Sequence, residues 1–136
     1  MRPYSKLAEY AIRSLVVLAT DRVWRMRVHS ICERDGLPLH FTRKAMQMMA
    51  RHKILEAARG PQGGYVFKIP PEKIKLLDIV RIFDPMEPSS QCPCGESHCT
   101  SQKPCALRKF LIRMEEKTME TLQKISIAEL VKKRTM

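Results

Sequence analysis

The sequence predicts a mainly α fold with a small β-hairpin wing: a winged helix-turn-helix followed by a long C-terminal dimerisation helix. Three observations carry this. Two amphipathic segments, Val28–Arg34 and His40–His52, flank a turn at Asp35-Gly36, which is the helix-turn-helix pattern. A hairpin string, ILEAAR-GPQGG-YVFKI, follows at once over residues 54–69. A stripe of apolar residues at i, i+3/i+4 spacing then runs from Leu107 to Ile125, in a helix with few partners inside a small domain.

Composition sets the class. The 136 residues suffice for a single hydrophobic core, and 44% hydrophobic with 29% charged residues excludes a disordered chain. The longest purely apolar run is Leu15–Ala19, too short to span a membrane. The opening MRPYSKLAEYAIR carries charges where a secretory signal needs its apolar stretch, so a cytoplasmic protein is expected. Twenty-five Lys and Arg against fourteen Asp and Glu give +11. Residues 1–83 hold 16 basic and 7 acidic side chains, and residues 84–136 hold 9 and 7. A basic surface concentrated in one half suits a polyanion, because displaced counterions drive phosphate binding; the plainer alternative is a solvated surface. No nucleophile–base pairing, phosphate loop or dinucleotide fingerprint is present, so an enzyme is not expected.

Taken in order, the first helix is expected from Ser5, a plausible N-cap, to Thr20, with Leu7, Ala11, Leu15 and Leu18 at helical spacing. The second buries Val28, Ile31 and Cys32 and stops at Asp35-Gly36. The third is expected to turn Phe41, Ala45, Met48 and Met49 inward. Strands at 54–59 and 65–69 make the wing, and Pro70-Pro71 opens a new element. Leu76–Phe83 is apolar nearly all round and reads as a core helix. A helix over Ala106–Lys124 and a short one over Ile127–Arg134, capped by Ser126 and Glu129, complete the chain. The expected organisation is a DNA-binding domain at 1–83, a cysteine-rich loop at 84–105, and dimerisation and terminal helices at 106–136. Two-fold pairing of the long helices presents two winged helices to duplex DNA, one per half-site.

Four of five cysteines fall within fourteen residues: Cys92, Cys94, Cys99 and Cys105. In a small cytosolic protein such a cluster suggests metal binding or redox chemistry more than a disulfide framework. The surrounding segment has Pro85, Pro88, Pro93 and Pro104 and almost no large apolar residue, so a bound metal would supply order that a core does not. Thiolates suit iron–sulfur clusters and zinc alike, although the single-residue gap between Cys92 and Cys94 fits structural zinc pairs less well. Cys32 reads as a small core residue.

Four strings in this order, LAEYAIRSLVVLA at 7–19, RGPQGGY at 59–65, CALRKFL at 105–111 after the cysteine loop, and ISIAELV at 125–131, make the chain resemble the IscR/NsrR-type winged-helix transcription regulators, the Rrf-two family. The resemblance covers nearly the whole length and implies a homodimeric DNA-binding repressor or activator. It further implies a cluster, 2Fe-2S or 4Fe-4S, held by three loop cysteines and sensing nitric oxide, redox or iron–sulfur status. Some family members lack those cysteines. Relatives commonly space the three ligands by about five residues, which Cys99 and Cys105 fit; Cys92 is favoured as the first ligand, with Cys94 as its alternate. The extra cysteine departs from the pattern and leaves a four-cysteine zinc site or bare redox thiols as alternatives. In some relatives an acidic residue of the first helix completes the cluster from the partner subunit, and the shared RSL at 13–15 places Glu9 there. The alternative is that Glu9 lies on the polar face of its helix. Others use a His after the last cysteine, where this chain reads ALR; His98 ranks below Glu9.

With the third helix as the major-groove reader, its expected exposed side is His40, Thr42, Arg43, Lys44 and Gln47. Arg43 can pair bidentately with guanine and Gln47 with adenine. From the wing, Arg59 can enter a minor groove or clamp phosphate, and Gln62 accompanies it.

Overall fold

The computed structural model describes residues 4–21, 24–84 and 105–135. Helix α1 (Lys6–Thr20) begins at Ser5, whose Oγ accepts the Ala8 N–H at 3.3 Å. It is the central rod of the domain. Ala11, Leu15 and Leu18 are fully buried, and α1 packs against α2 (Val28–Asp35), α3 (Leu39–Arg51), α4 (Leu76–Phe83) and α6 (Ile127–Thr135). Each fully buried Leu contributes about 1.5–3 kcal/mol relative to exposure. Gly36 ends α2 in the left-handed region at φ +62, where its N–H reaches the Cys32 carbonyl.

The wing is an antiparallel pair, β2 (Leu55–Ala57) and β3 (Tyr65–Phe67), in the register Leu55↔Phe67, Glu56↔Val66, Ala57↔Tyr65. The strands are shorter than expected, though Ala58 N–H to the Gly64 carbonyl (2.8 Å) and Lys68 N–H to the Ile54 carbonyl (3.0 Å) prolong the pairing. A third strand, β1 (Arg25–Met26), pairs with the other edge of β3 and makes the order β1-β3-β2. Two residues carry no period-2 signal, so β1 is invisible to pattern reading. Its approach requires Gly64: a Cβ there would stand 2.8 Å from the Met26 carbonyl oxygen, at φ +96.

A short 3-10 turn (Pro71–Lys73) leads into α4. The junction between α5 (Ala106–Lys124) and α6 is stitched to it, with Leu76 N–H on the Ile125 carbonyl and Ile127 N–H on the Ile74 carbonyl, both at 2.9 Å. Ser126 Oγ accepts the Glu129 N–H at 3.2 Å, as its capping role requires. Helix α6 thereby returns to α1. Asp35 accepts from Arg13 Nε at 2.9 Å and from Arg134 Nη2 at 3.0 Å, an ionic bond between residues 99 apart in sequence. Helix α5 behaves differently: it packs on α4, buries only Leu122, and leaves Leu107 and Phe110 exposed at 51% and 59%. Among the described residues no helix is long and apolar enough to cross a membrane.

Candidate nucleic-acid interface

Helix α3 sits across α1 and α2, and the chain leaves it directly into the wing. Its buried stripe is Thr42, Ala45, Met46 and Met49. Its outer face carries His40, Phe41, Arg43, Lys44, Gln47 and Arg51, and the helix LHFTRKAMQMMAR holds no acidic residue. The expected positions of Phe41 and Thr42 are therefore reversed. Thr42 is fully buried, with its Oγ1 lacking a hydrogen-bond partner, whereas Phe41 is 52% exposed. At 3.6 residues per turn the buried stripe is rotated roughly 65° from the one expected. Helix α3 packs against both α1 and α2, and Thr42 and Met46 are fully buried in that arrangement. His40, Arg43, Lys44 and Gln47 remain on the accessible face. Phe41 lies beside Tyr10, with ring centroids 6.3 Å apart, and meets His40 edge-on at 5.6 Å.

The wing presents Arg59 and Gln62, both exposed. Its backbone is held by two arginines that sequence reasoning missed. Arg25 donates from Nε to the Gly63 carbonyl and from Nη2 to the Arg59 carbonyl, each at 3.2 Å. Arg27 donates from Nε to the Gln62 carbonyl and from Nη2 to that of Pro61 at 3.4 Å. Two planar guanidinium forks thus hold four backbone carbonyls of the hairpin tip, those of Arg59, Pro61, Gln62 and Gly63. Between the wing and α2 lies a cleft of about 480 Å³ lined by Arg25, Arg27, Arg34 and Gln62 among others. Trp24, at φ +50, packs edge-on against Phe67 at 6.0 Å. The alternation Arg25-Met26-Arg27, exposed-buried-exposed, is the only sequence trace of this arrangement.

Of the cysteine site, Cys105 is described, and Cys92, Cys94, Cys99 and His98 lie outside the described residues. Cys105 is the N-cap residue of α5. Hydrogen bonds from the Arg108 and then the Leu107 backbone N–H hold its thiol pKa below the ordinary value, outweighing a small opposing effect of desolvation. A partly exposed thiol biased toward thiolate fits the donor chemistry of a cluster or of zinc. Cys32 is buried in α2, as expected of a core residue. Glu9 lies on α1 paired with Lys6 (3.2 Å) and Arg13 (3.5 Å). Among the described residues no three His, Cys, Asp or Glu side chains gather as a metal site.

A family profile described as "Rrf2: Iron-dependent Transcriptional regulator" matches residues 4–133. The chain is 29% identical over 119 residues to the putative HTH-type transcriptional regulator BadM of Rhodopseudomonas palustris, covering 88% of this chain and 74% of that protein. It is also 29% identical over 131 residues to protein aau3 of Rhizobium meliloti, covering 96% and 85%. In solved structures the fold recurs in CymR, the global cysteine regulator of B. subtilis, with TM-score 0.79, 19% identity and coverage of 97% and 98%. T. potens IscR gives TM-score 0.74 at 22% identity, covering 96% and 86%.

Proposed function

The chain belongs to the Rrf2 family of transcriptional regulators, and from that premise we propose that it is a homodimer reading an operator in duplex DNA, with affinity set by an iron–sulfur cluster on the cysteine segment. The observation that carries the DNA reading is the acid-free outer face of α3 beside a wing anchored by Arg25 and Arg27. His40, Arg43, Lys44 and Gln47 meet the major groove, while Arg59 and Gln62 meet the backbone or minor groove. Thr42 leaves this set because it is buried.

Dimerisation falls to α5. A nineteen-residue helix with one buried side chain and exposed Leu107 and Phe110 leaves apolar surface that a second copy covers. Residues 1–83 then act as the reading head, 84–105 as the sensing segment, and α5 as the two-fold seam, while α6 ties the seam back to α1.

Cys92, with Cys94 as its alternate, Cys99 and Cys105 are the proposed cluster ligands. When bound, the cluster supplies a redox- and nitric-oxide-reactive centre. Cys105 joins it as a thiolate already favoured by the first amides of α5. Glu9 can complete the set only by releasing Lys6 and Arg13. Such partly exposed pairs are worth about 0–1 kcal/mol each, which is too little to forbid the exchange. Because Cys105 occupies the N-cap position of α5, a change in its ligation acts at the very start of the dimer helix.

The deciding experiment purifies the protein anaerobically and assays visible absorption, iron, acid-labile sulfide and zinc on one sample. Operator affinity of loaded and unloaded protein is then compared at identical salt. Matched iron and sulfide with differing affinities is the expected result. Colourless protein with stoichiometric zinc, or equal affinities, overturns the sensing role. Four closely spaced cysteines are the feature that favours zinc as the second reading.

A further inference from the structure

Phe41 is a large apolar side chain standing 52% exposed in the first turn of a helix whose outer face is otherwise cationic and polar. Its ring is not loose: Tyr10 backs it from α1 and His40 abuts its edge. Lys6, which also pairs with Glu9, lies over the Tyr10 ring at 5.8 Å, and Arg43 and Lys44 follow Phe41 on the same acid-free helix. An apolar protein partner gains nothing from that cationic surround, whereas a polyanion does. Within a major groove the base edges offer hydrogen-bonding groups and a single apolar one, the 5-methyl of thymine. In helix-turn-helix docking the N-terminal residues of the second helix are those that meet base edges. Phe41 occupies that position.

We propose that Phe41 is a specificity-determining residue that packs against the 5-methyl group of a thymine in each half-site, with Tyr10 fixing the ring. The inference rests on the DNA-reading role proposed above and adds to it the chemical group that is read. Arg43, Lys44 and Gln47 supply the polar contacts, and Phe41 supplies the one contact that senses a methyl.

The test uses the full chain and a pool of duplexes with a randomised centre, from which bound sequences are selected. Each thymine of the selected site is then replaced, one at a time, by deoxyuridine, which removes only the methyl. At one thymine per half-site the replacement weakens binding by about fourfold, the value of one buried methyl-sized group. Phe41→Ala binds the thymine and deoxyuridine duplexes equally. The inference is overturned if no single deoxyuridine matters, if Phe41→Ala keeps the same discrimination, or if Phe41→Ala alters the oligomeric state and leaves site preference untouched. The deoxyuridine series on the unaltered protein decides the question even where the variant folds poorly. Selection that enriches no sequence at all removes the DNA-reading role, and this inference with it, and is distinct from a selected site indifferent to its methyls.

Discussion

The carboxylate of Asp84 accepts the backbone N–H of Ser5 at 2.8 Å, across 79 residues of sequence. Ser5 is the N-cap of α1, and Asp84 is the C-cap residue of α4, immediately before the cysteine-bearing segment. One hydrogen bond therefore joins the start of the central helix to the residue that precedes the cysteine-bearing segment.

Asp84→Ala removes the acceptor and leaves the Ser5 N–H without its partner. The expected loss is about 1–2 kcal/mol, or a Tm lower by roughly 3–6 °C. Asp84→Asn keeps an acceptor and loses less than half of that. Thermal unfolding of the two variants measures the difference, and an unchanged Tm in Asp84→Ala refutes it.

The wing clamp makes a different demand. Arg25 and Arg27 hold carbonyls at the hairpin tip from exposed positions, so truncating them costs little stability but frees Arg59 and Gln62. The double change Arg25→Ala/Arg27→Ala is expected to weaken DNA binding about tenfold, near 1.4 kcal/mol, with Tm shifted by no more than about 2 °C. The slope of log affinity against log salt falls by about one if Arg59 meets a phosphate. Trp24 is the only tryptophan and packs on Phe67, so its fluorescence reports whether the strands beneath the wing have moved.

Thr42 tests the orientation of α3 directly. Its hydroxyl is buried without a partner, so Thr42→Val, nearly isosteric, is expected to leave stability unchanged or raise it by up to about 1 kcal/mol. DNA affinity should stay within about twofold, since a fully buried side chain meets no base. Chemical denaturation and a binding titration on one preparation check both. A large loss of affinity with an intact fold would restore Thr42 as a contact.

Cys105 provides a prediction in pH. Hydrogen bonds from the Arg108 and Leu107 amides favour the thiolate, so its pKa lies below that of an ordinary thiol. In metal-free protein with Cys92, Cys94 and Cys99 changed to serine, the alkylation rate of Cys105 should rise at lower pH than that of a free cysteine. Buried Cys32 should react far more slowly at every pH. Coincident profiles for Cys105 and free cysteine would contradict the lowered thiol pKa at the start of α5.

The order of helices and the hairpin were legible because their causes are local. The heptad-like stripe of α1, the Gly36 stop and the GPQGG turn each act over a few residues. The four strings that identify the family are local too, as is the cysteine spacing. Strand β1 was not legible, because two residues have no period and pair only once β3 exists. The face of α3 was misread for a different reason. Leu39, Phe41, Ala45, Met46, Met48, Met49 and Ala50 span roughly 200° of that helix, with Phe41 near one edge of the arc and Thr42 inside it, so counting Thr42 as polar and Phe41 as core turned the expected face toward the wrong edge.

Local propensity and turn chemistry thus settled, from sequence alone, that the chain is a winged helix-turn-helix with a long helix after a cysteine segment. Tertiary packing decided what faces outward. Contacts between elements distant in sequence, α1 and α2 against α3, Arg25 and Arg27 against the wing, and Asp84 against Ser5, fixed the orientations that periods and turns acting over a few residues do not specify.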